Sequence, residues 1–217
     1  ACQLGYAVTD NKEDADLILL NTCAVREHAE LKSLSHTGHL KHLKEKNPRL
    51  IVGICGCMVQ QEHRKNDIKE KYPYVDFVFG TNKLFDFPQM LYKVLTEKKR
   101  HFFVESYDEN KGDMVEGVPL HRKSTKTAWV SIMYGCNNFC SYCVVPYVRG
   151  RERSREVHYI IEEIRDLLEN GCKDITLLGQ NVNSYGKDLE VPVTFVELLK
   201  EIDALDYDFV LRFMTSH

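Results

Sequence analysis

The stretch YGCNNFCSYCVVPYVRGRERSR, residues 134–155, sets Cys136, Cys140 and Cys143 at intervals of four and three, then trails arginines at 149, 151, 153 and 155. Three thiols are an awkward number for a structural zinc, which takes four ligands in a closed tetrahedron. No second cysteine pair follows, and Cys172, at a helix end in ENGCKD, reads as a packed bystander. A cubane iron–sulfur cluster has its irons held by cysteine thiolates. Three cysteines hold three of the four irons and leave the last open to a ligand that is not protein. The arginines carry a second chemistry. Alternate residues of an extended segment share a face, which would align Arg149, Arg151 and Arg153 beside the cysteine loop. Guanidinium grips phosphate through paired hydrogen bonds. A solvated charged loop running into a helix is the plainer account of the same residues.

Elements must position these groups, and the first half of the chain supplies an alternation. ADLILLNTC (15–23), LIVGICGC (50–57), VDFVFG (75–80) and HFFVE (101–105) have the length and apolar content of strands. Between them 26–48, 62–72 and 83–99 read as helices. The first has leucines at 31, 34, 40 and 43 on a broad face, with Gly38 as a weak point or break; the last begins around Pro88. This alternation predicts an open parallel sheet, and such sheets collect ligands beyond the carboxyl ends of their strands. Cys23 ends one strand, and Cys55 and Cys57 end the next, so two strands bring thiols to one edge. Cys55 lies within the apolar run and reads as a small buried hydrophobe. Cys23 and Cys57 fall in polar or glycine context and are candidate ligands, with Cys2 a possible third.

Residues 106–126 show little periodicity, which places a linker at 111–126 between a domain over 1–110 and another over 127–217. TAWVSIMYGC (127–136) is a strand running directly into Cys136. Residues 154–171 form an amphipathic helix with Ser154 as its N-cap and Gly171 at the C-cap. A strand over 173–181, a helix over 194–205 and a strand over 208–217 complete the opening half of a (β/α) barrel. The last strand would present an unpaired edge, so the chain is expected to continue. At 217 residues, 43% hydrophobic and a net charge of −3, the composition gives no global sign of nucleic-acid binding, so any such role belongs to a local patch. No run of 18 apolar residues or secretory leader is evident. Eight cysteines in a Lys/Glu-rich α/β chain fit a reducing cytoplasm and metal chemistry better than a disulfide framework.

The cysteine loop resembles that of the radical S-adenosylmethionine (SAM) enzymes. NTCAVREHAE (21–30), GCMVQQ (56–61), FVFGTN (77–82), HRKS (121–124), LLGQNVNSYG (177–186) and FMTSH (213–217) extend the resemblance to the methylthiotransferase family over nearly the whole chain. It implies an α/β fold, with an N-terminal open parallel-sheet domain that binds a cluster, followed by an incomplete (β/α) radical SAM barrel. It implies two [4Fe–4S] clusters, one on Cys136, Cys140 and Cys143 and one on Cys2, Cys23 and Cys57. SAM would chelate the open iron and be cleaved reductively to a 5′-deoxyadenosyl radical. That radical would take hydrogen from C2 of an isopentenyl-adenosine beside the tRNA anticodon. Sulfur would come from the N-terminal cluster and methyl from a second SAM.

The implied SAM contacts are Tyr142, through its backbone, then Gly179, Gln180 and Asn181, and Ser216. Many radical SAM enzymes carry Gly-Gly-Glu where this chain has Gly-Gln-Asn, so the glutamate contact is missing. CAVREHAE and RGRERSR resemble the isopentenyl-adenosine branch most. Sister branches acting on threonylcarbamoyl-adenosine or on a ribosomal-protein aspartate are alternatives, and a non-enzymatic iron–sulfur or zinc module is a third. The implied partners are the tRNA anticodon stem–loop, with Arg149, Arg151 and Arg153 at RNA or cofactor, and a reductant such as flavodoxin or ferredoxin. A monomer with no membrane contact is expected, along with a further barrel half and a small RNA-binding β-barrel. In the family a helix of several turns follows the first cluster cysteine, and a parallel crossover needs a dozen or more residues. A break in the chain between Gln3 and Leu4 is therefore expected.

Overall fold

The computed structural model describes residues 2–104, Glu116, Arg122 and 124–215, so most of the expected linker and the candidate Ser216 lie outside the described residues. The chain divides into two compact units, Ala1–Gly112 with Tyr142–Arg149, and Asp113–Ser141 with Gly150–His217.

The first unit is built on four parallel strands in the order of the chain, β1 (Leu17–Thr22), β2 (Ile51–Gly56), β3 (Phe77–Phe79) and β4 (His101–Phe103). Between them run α1 (Glu27–Lys46), α2 (Glu62–Lys71) and α3 (Phe87–Glu97). Every residue of β2 is buried. Its alternate side chains serve two faces. Val52 and Ile54 pack with Leu34 and Leu40 of α1 and Ile68 of α2, while Ile51 and Cys55 pack with Phe87, Met90 and Leu91 of α3. Each fully buried side chain of this size contributes about 1.5–3 kcal/mol. Polar ties fix the layers: Glu30, 5% exposed, pairs with Arg64 at 2.7 Å, joining α1 to α2. α1 runs unbroken through Gly38, since one glycine costs a helix interior only about 1 kcal/mol against alanine and the buried Leu34, Thr37 and Leu40 hold the helix on either side. Cys2–Leu4 is a 3-10 turn, closed by the Gly5 N–H on the Cys2 carbonyl at 3.0 Å. Among the described residues no strand precedes β1, so no crossover is required there.

The second unit carries the parallel strands β5 (Thr127–Ser131), β8 (Asp174–Leu178) and β9 (Val210–Phe213), in the order β5-β8-β9, and a hairpin of β6 (Met133–Tyr134) with β7 (Arg153–Ser154). Its helices are α5 (Val157–Glu169) and α6 (Phe195–Asp203); α4 (Val145–Arg149) belongs with the first unit. Ile160, Ile164, Leu198 and Ile202 pack on Val130, Ile175 and Leu177. The sheet is open, with no closed barrel among the described residues. α5 ends as expected: Gly171 has φ +88°, and the Gly171 and Cys172 N–H groups return to the carbonyls of Leu168 and Leu167. Its start differs. The N-cap position falls on Glu156, and Ser154 belongs to β7.

Candidate metal centres

β1 and β2 end in register, Thr22 beside Gly56. The Thr22 hydroxyl donates to the Cys55 carbonyl at 2.6 Å, and the Cys57 N–H donates to the Thr22 carbonyl at 3.0 Å. Gly56 makes this turn with φ +100°; a Cβ there would strike the Thr22 carbonyl. Cys57 is consequently tucked beyond the strand end, 2% exposed, against Ala24 and Val148. Cys23 follows Thr22 and stays exposed, its Sγ accepting the Val25 N–H at 3.5 Å. Cys2 is exposed in its turn. Cys55 is the packed hydrophobe expected, 6% exposed; burial, then the neighbouring Cys57, pushes its thiol up to about 12.

The helix α4 was not anticipated; its signal was Pro146 near a helix start. It packs on the 3-10 turns Met58–Gln60 and Thr81–Lys83, and the Thr81 hydroxyl donates to the Val148 carbonyl at 3.2 Å. This places Arg149 on the thiol edge, where its Nε donates to Cys57 Sγ at 3.2 Å. A charged N–H donor is a partner that a ligating thiolate accepts.

In the second unit the β6–β7 hairpin folds residues 150–153 back along residues 135–139. The Cys136 N–H donates to the Gly150 carbonyl at 3.1 Å. Asn137 and Glu152 exchange bonds, each backbone N–H donating to the other's side-chain oxygen, at 3.2 and 3.1 Å. Gly135 has φ +74°, and a Cβ on it would run into the Arg151 carbonyl. Cys136 is buried, and Cys140 and Cys143 are partly buried. The Tyr142 side chain is 91% exposed.

The arginines do not form one extended face. Gly150, at φ +75°, breaks the run, leaving Arg149 in α4, Arg151 in a bend and Arg153 in β7. Arg155 is 7% exposed, bonded to both oxygens of Glu116 at 2.6 Å, to Glu163 and to the Ser131 carbonyl at 2.7 Å. Ser154, expected as a helix cap, donates its hydroxyl to Asp188 at 2.6 Å and accepts the Gly186 N–H at 2.8 Å. Asp188 and Glu116 were missed from sequence, lying in polar segments without periodicity.

β8 ends at Leu178 and delivers Gly179, Gln180 and Asn181 to its carboxyl edge. Gly179 is required by crowding, since a Cβ would lie 2.7 Å from Met133 Cγ. Asn181 is 6% exposed and donates through Nδ2 to Ser184 Oγ at 2.8 Å. Its Oδ1, and Oε1 of Gln180, are buried without a hydrogen-bond partner among the described residues. A buried carbonyl oxygen left unpaired costs about 1–3 kcal/mol. Two adjacent residues with such oxygens at a strand's carboxyl end suit a ligand carrying N–H or O–H donors.

Among the described residues no three His, Cys, Asp or Glu side chains converge as a single metal ion would require. A cubane asks for less, because its thiolates bind separate irons rather than meeting at one point. All eight cysteines are outside disulfides, so the donor chemistry fits such a cluster. No helix among the described residues is long and apolar enough to cross a membrane.

Residues 130–214 match the Radical SAM superfamily, and residues 2–80 match Uncharacterized protein family UPF0004. The chain thus carries a UPF0004 region ahead of a radical SAM region. Among individual proteins it is similar to those named tRNA-2-methylthio-N(6)-dimethylallyladenosine synthase. It is 54% identical to the Clostridium tetani protein over 99% of this chain and 47% of that one. It is 54% identical to that of Alkaliphilus oremlandii (99% and 45%) and 52% to that of Caldicellulosiruptor saccharolyticus (99% and 45%). The chain therefore spans about half the length of the curated relatives it matches. The radical SAM match over residues 130–214 implies a [4Fe–4S] cluster and SAM.

Proposed function

We propose that this chain is the cluster-bearing part of a tRNA methylthiotransferase that places a methylthio group on C2 of N6-isopentenyladenosine beside the anticodon. The observation that carries the reading is the three-cysteine loop and the Gly-Gln-Asn turn within the one segment, residues 130–214, that matches the radical SAM superfamily. The loop carries three thiols at the superfamily's spacing, and the turn holds two buried acceptors with no hydrogen-bond partner among the described residues. In this reading Cys136, Cys140 and Cys143 hold the cluster, which supplies the electron that cleaves the sulfonium of SAM. Gln180 and Asn181 accept from the amino or hydroxyl donors of SAM, filling the place of the absent glutamate, and the Tyr142 backbone lies by the adenine. Cys2, Cys23 and Cys57 hold a second [4Fe–4S] cluster, with Arg149 supporting Cys57. Arg151 and Arg153 meet RNA phosphates. A flavodoxin or ferredoxin supplies electrons, and the protein works as a cytoplasmic monomer.

The test is anaerobic reconstitution of the full-length protein and its Cys140→Ala variant. The variant is expected to lose one cluster's iron and all 5′-deoxyadenosine formation. Continued production of 5′-deoxyadenosine by the variant would sink the assignment. Nucleosides of tRNA from a deletion strain should lack the methylthio mark on isopentenyl-adenosine. Loss of the mark from threonylcarbamoyl-adenosine instead would favour the sister branch.

A further inference from the structure

Phe139 lies between two of the loop cysteines in a backbone conformation that phenylalanine rarely adopts. Its φ is +46°, in the left-handed region, and its side chain is 40% exposed. The left-handed region costs a non-glycine residue about 1–3 kcal/mol, and glycine or asparagine would occupy it more easily. Burial does not compensate for a large apolar ring held half in water. Its ring is instead faced by the guanidinium of Arg151, with Cζ 4.5 Å from the centroid. Arg151 is itself exposed, and its backbone is held against the loop by Gly135 and by the exchanged Asn137–Glu152 bonds. Ring and cation are thus fixed beside each other, both open to solvent, one residue from Cys140.

We propose that Phe139 and Arg151 form a platform for one unpaired base of a single-stranded RNA loop, the ring stacking the base and the guanidinium meeting its phosphate. Unpaired RNA bases are read by stacking on aromatic rings and guanidinium planes, and each nucleotide couples a π face to an anionic phosphate. The pair offers the complementary chemistry, a part-exposed ring with a cation 4.5 Å from its centroid. SAM fits less well, because its sulfonium adds positive charge where a guanidinium already stands. The inference rests on the RNA substrate proposed above and adds a residue to it.

The probe is an anticodon stem–loop RNA with fluorescent 2-aminopurine at the nucleotide 3′ of the anticodon, bound to the full-length reconstituted protein. Binding by the wild type is expected to quench the fluorophore. Phe139→Ala and Phe139→Leu should each weaken binding about tenfold and lose most of the quench, since stacking on an aromatic ring is worth roughly that much. Phe139→Trp should keep both, and iron content and SAM affinity should be unchanged in all three. Leucine retains bulk and the left-handed backbone, so it separates the π face from folding. Unchanged RNA binding and quench in Phe139→Leu overturn the inference while leaving the tRNA reading intact. A loss of SAM affinity with RNA binding unchanged also overturns it. A wild-type protein that fails to bind the RNA overturns both.

Discussion

Cys55 and Cys57 stand two residues apart on one chain, yet Gly56 sends them to different chemistry. Cys55 is within β2 and faces the α3 layer; Cys57 is past the turn and receives a guanidinium N–H. Burial holds the Cys55 thiol at about 12, against an ordinary 9.0, and holds the Tyr74 phenol at about 12, against 10.0. Both groups are neutral when protonated and have raised values in the folded state. Their contribution is therefore fully present below the unfolded values and is lost as pH rises through the folded ones. For Cys55 the loss amounts to about 2 kcal/mol by about pH 10.5. Urea unfolding of the metal-free protein should show stability falling above pH 9, with a shallower fall in Cys55→Val. Equal slopes in the two proteins would remove Cys55 from the account. Arg149 and Arg151, similar in sequence, should separate in the same way. Arg151→Ala should flatten the log–log salt dependence of RNA binding by about one unit. Arg149→Ala should leave that slope alone and lower the iron retained on the first unit, read by iron analysis of a protein lacking Cys136, Cys140 and Cys143.

The turns that carry chemistry are set by glycines at element ends. Gly56→Ala would force a side chain into φ +100° and against the Thr22 carbonyl. It should cost about 2–3 kcal/mol and leave Cys57 open to alkylation in the folded protein; protection equal to wild type would show that the turn does not hold it. The strand ends bearing Cys23 and Cys57 were legible because the apolar runs LILL and LIVGIC announce strands and the cysteines follow closely, although only β2 is buried throughout and β1 is partly exposed. The α5 terminus was legible for a related reason, since glycine is the residue that its closing turn demands. What the sequence concealed was set by contacts distant along the chain. Ser154 satisfies the local rule for a helix cap, yet its hydroxyl is taken by Asp188, 34 residues on. The alternating arginines suggest one extended face, but Gly150 turns the chain and α4 docks on residues near 58 and 81. The orphaned oxygens of Gln180 and Asn181 are a property of packing that no periodicity reveals.

Across the whole chain, the described linker residues Glu116 and Arg122 are tied to the second unit by a buried charge group. Arg155 bonds Glu116 and Glu163, and Arg122 pairs with Glu163 and donates to the Trp129 carbonyl at 2.9 Å. Two arginines thus face two carboxylates. Burial pulls the Arg155 guanidinium down, but the two carboxylates more than offset it and hold it above its ordinary value. The group is balanced only while complete. Removing one partner from a buried ion pair leaves an uncompensated charge and typically costs about 3–5 kcal/mol, whereas the pair itself adds little net stability. Arg155→Ala should therefore destabilise the second unit strongly, because Glu116 loses both of its bonds to Arg155. Trp129 is the single tryptophan of the chain and lies in β5 of that unit, so its fluorescence follows the unit by itself. In thermal unfolding the Trp129 transition of Arg155→Ala should fall well below that of wild type, while the protection of the buried Cys57 against alkylation at lower temperature stays unchanged. The double variant Arg155→Ala, Glu116→Gln, which removes the stranded charge, should recover part of the loss. If the single and double variants melt together, the cost lies in lost packing around Arg155 and not in an unpaired carboxylate.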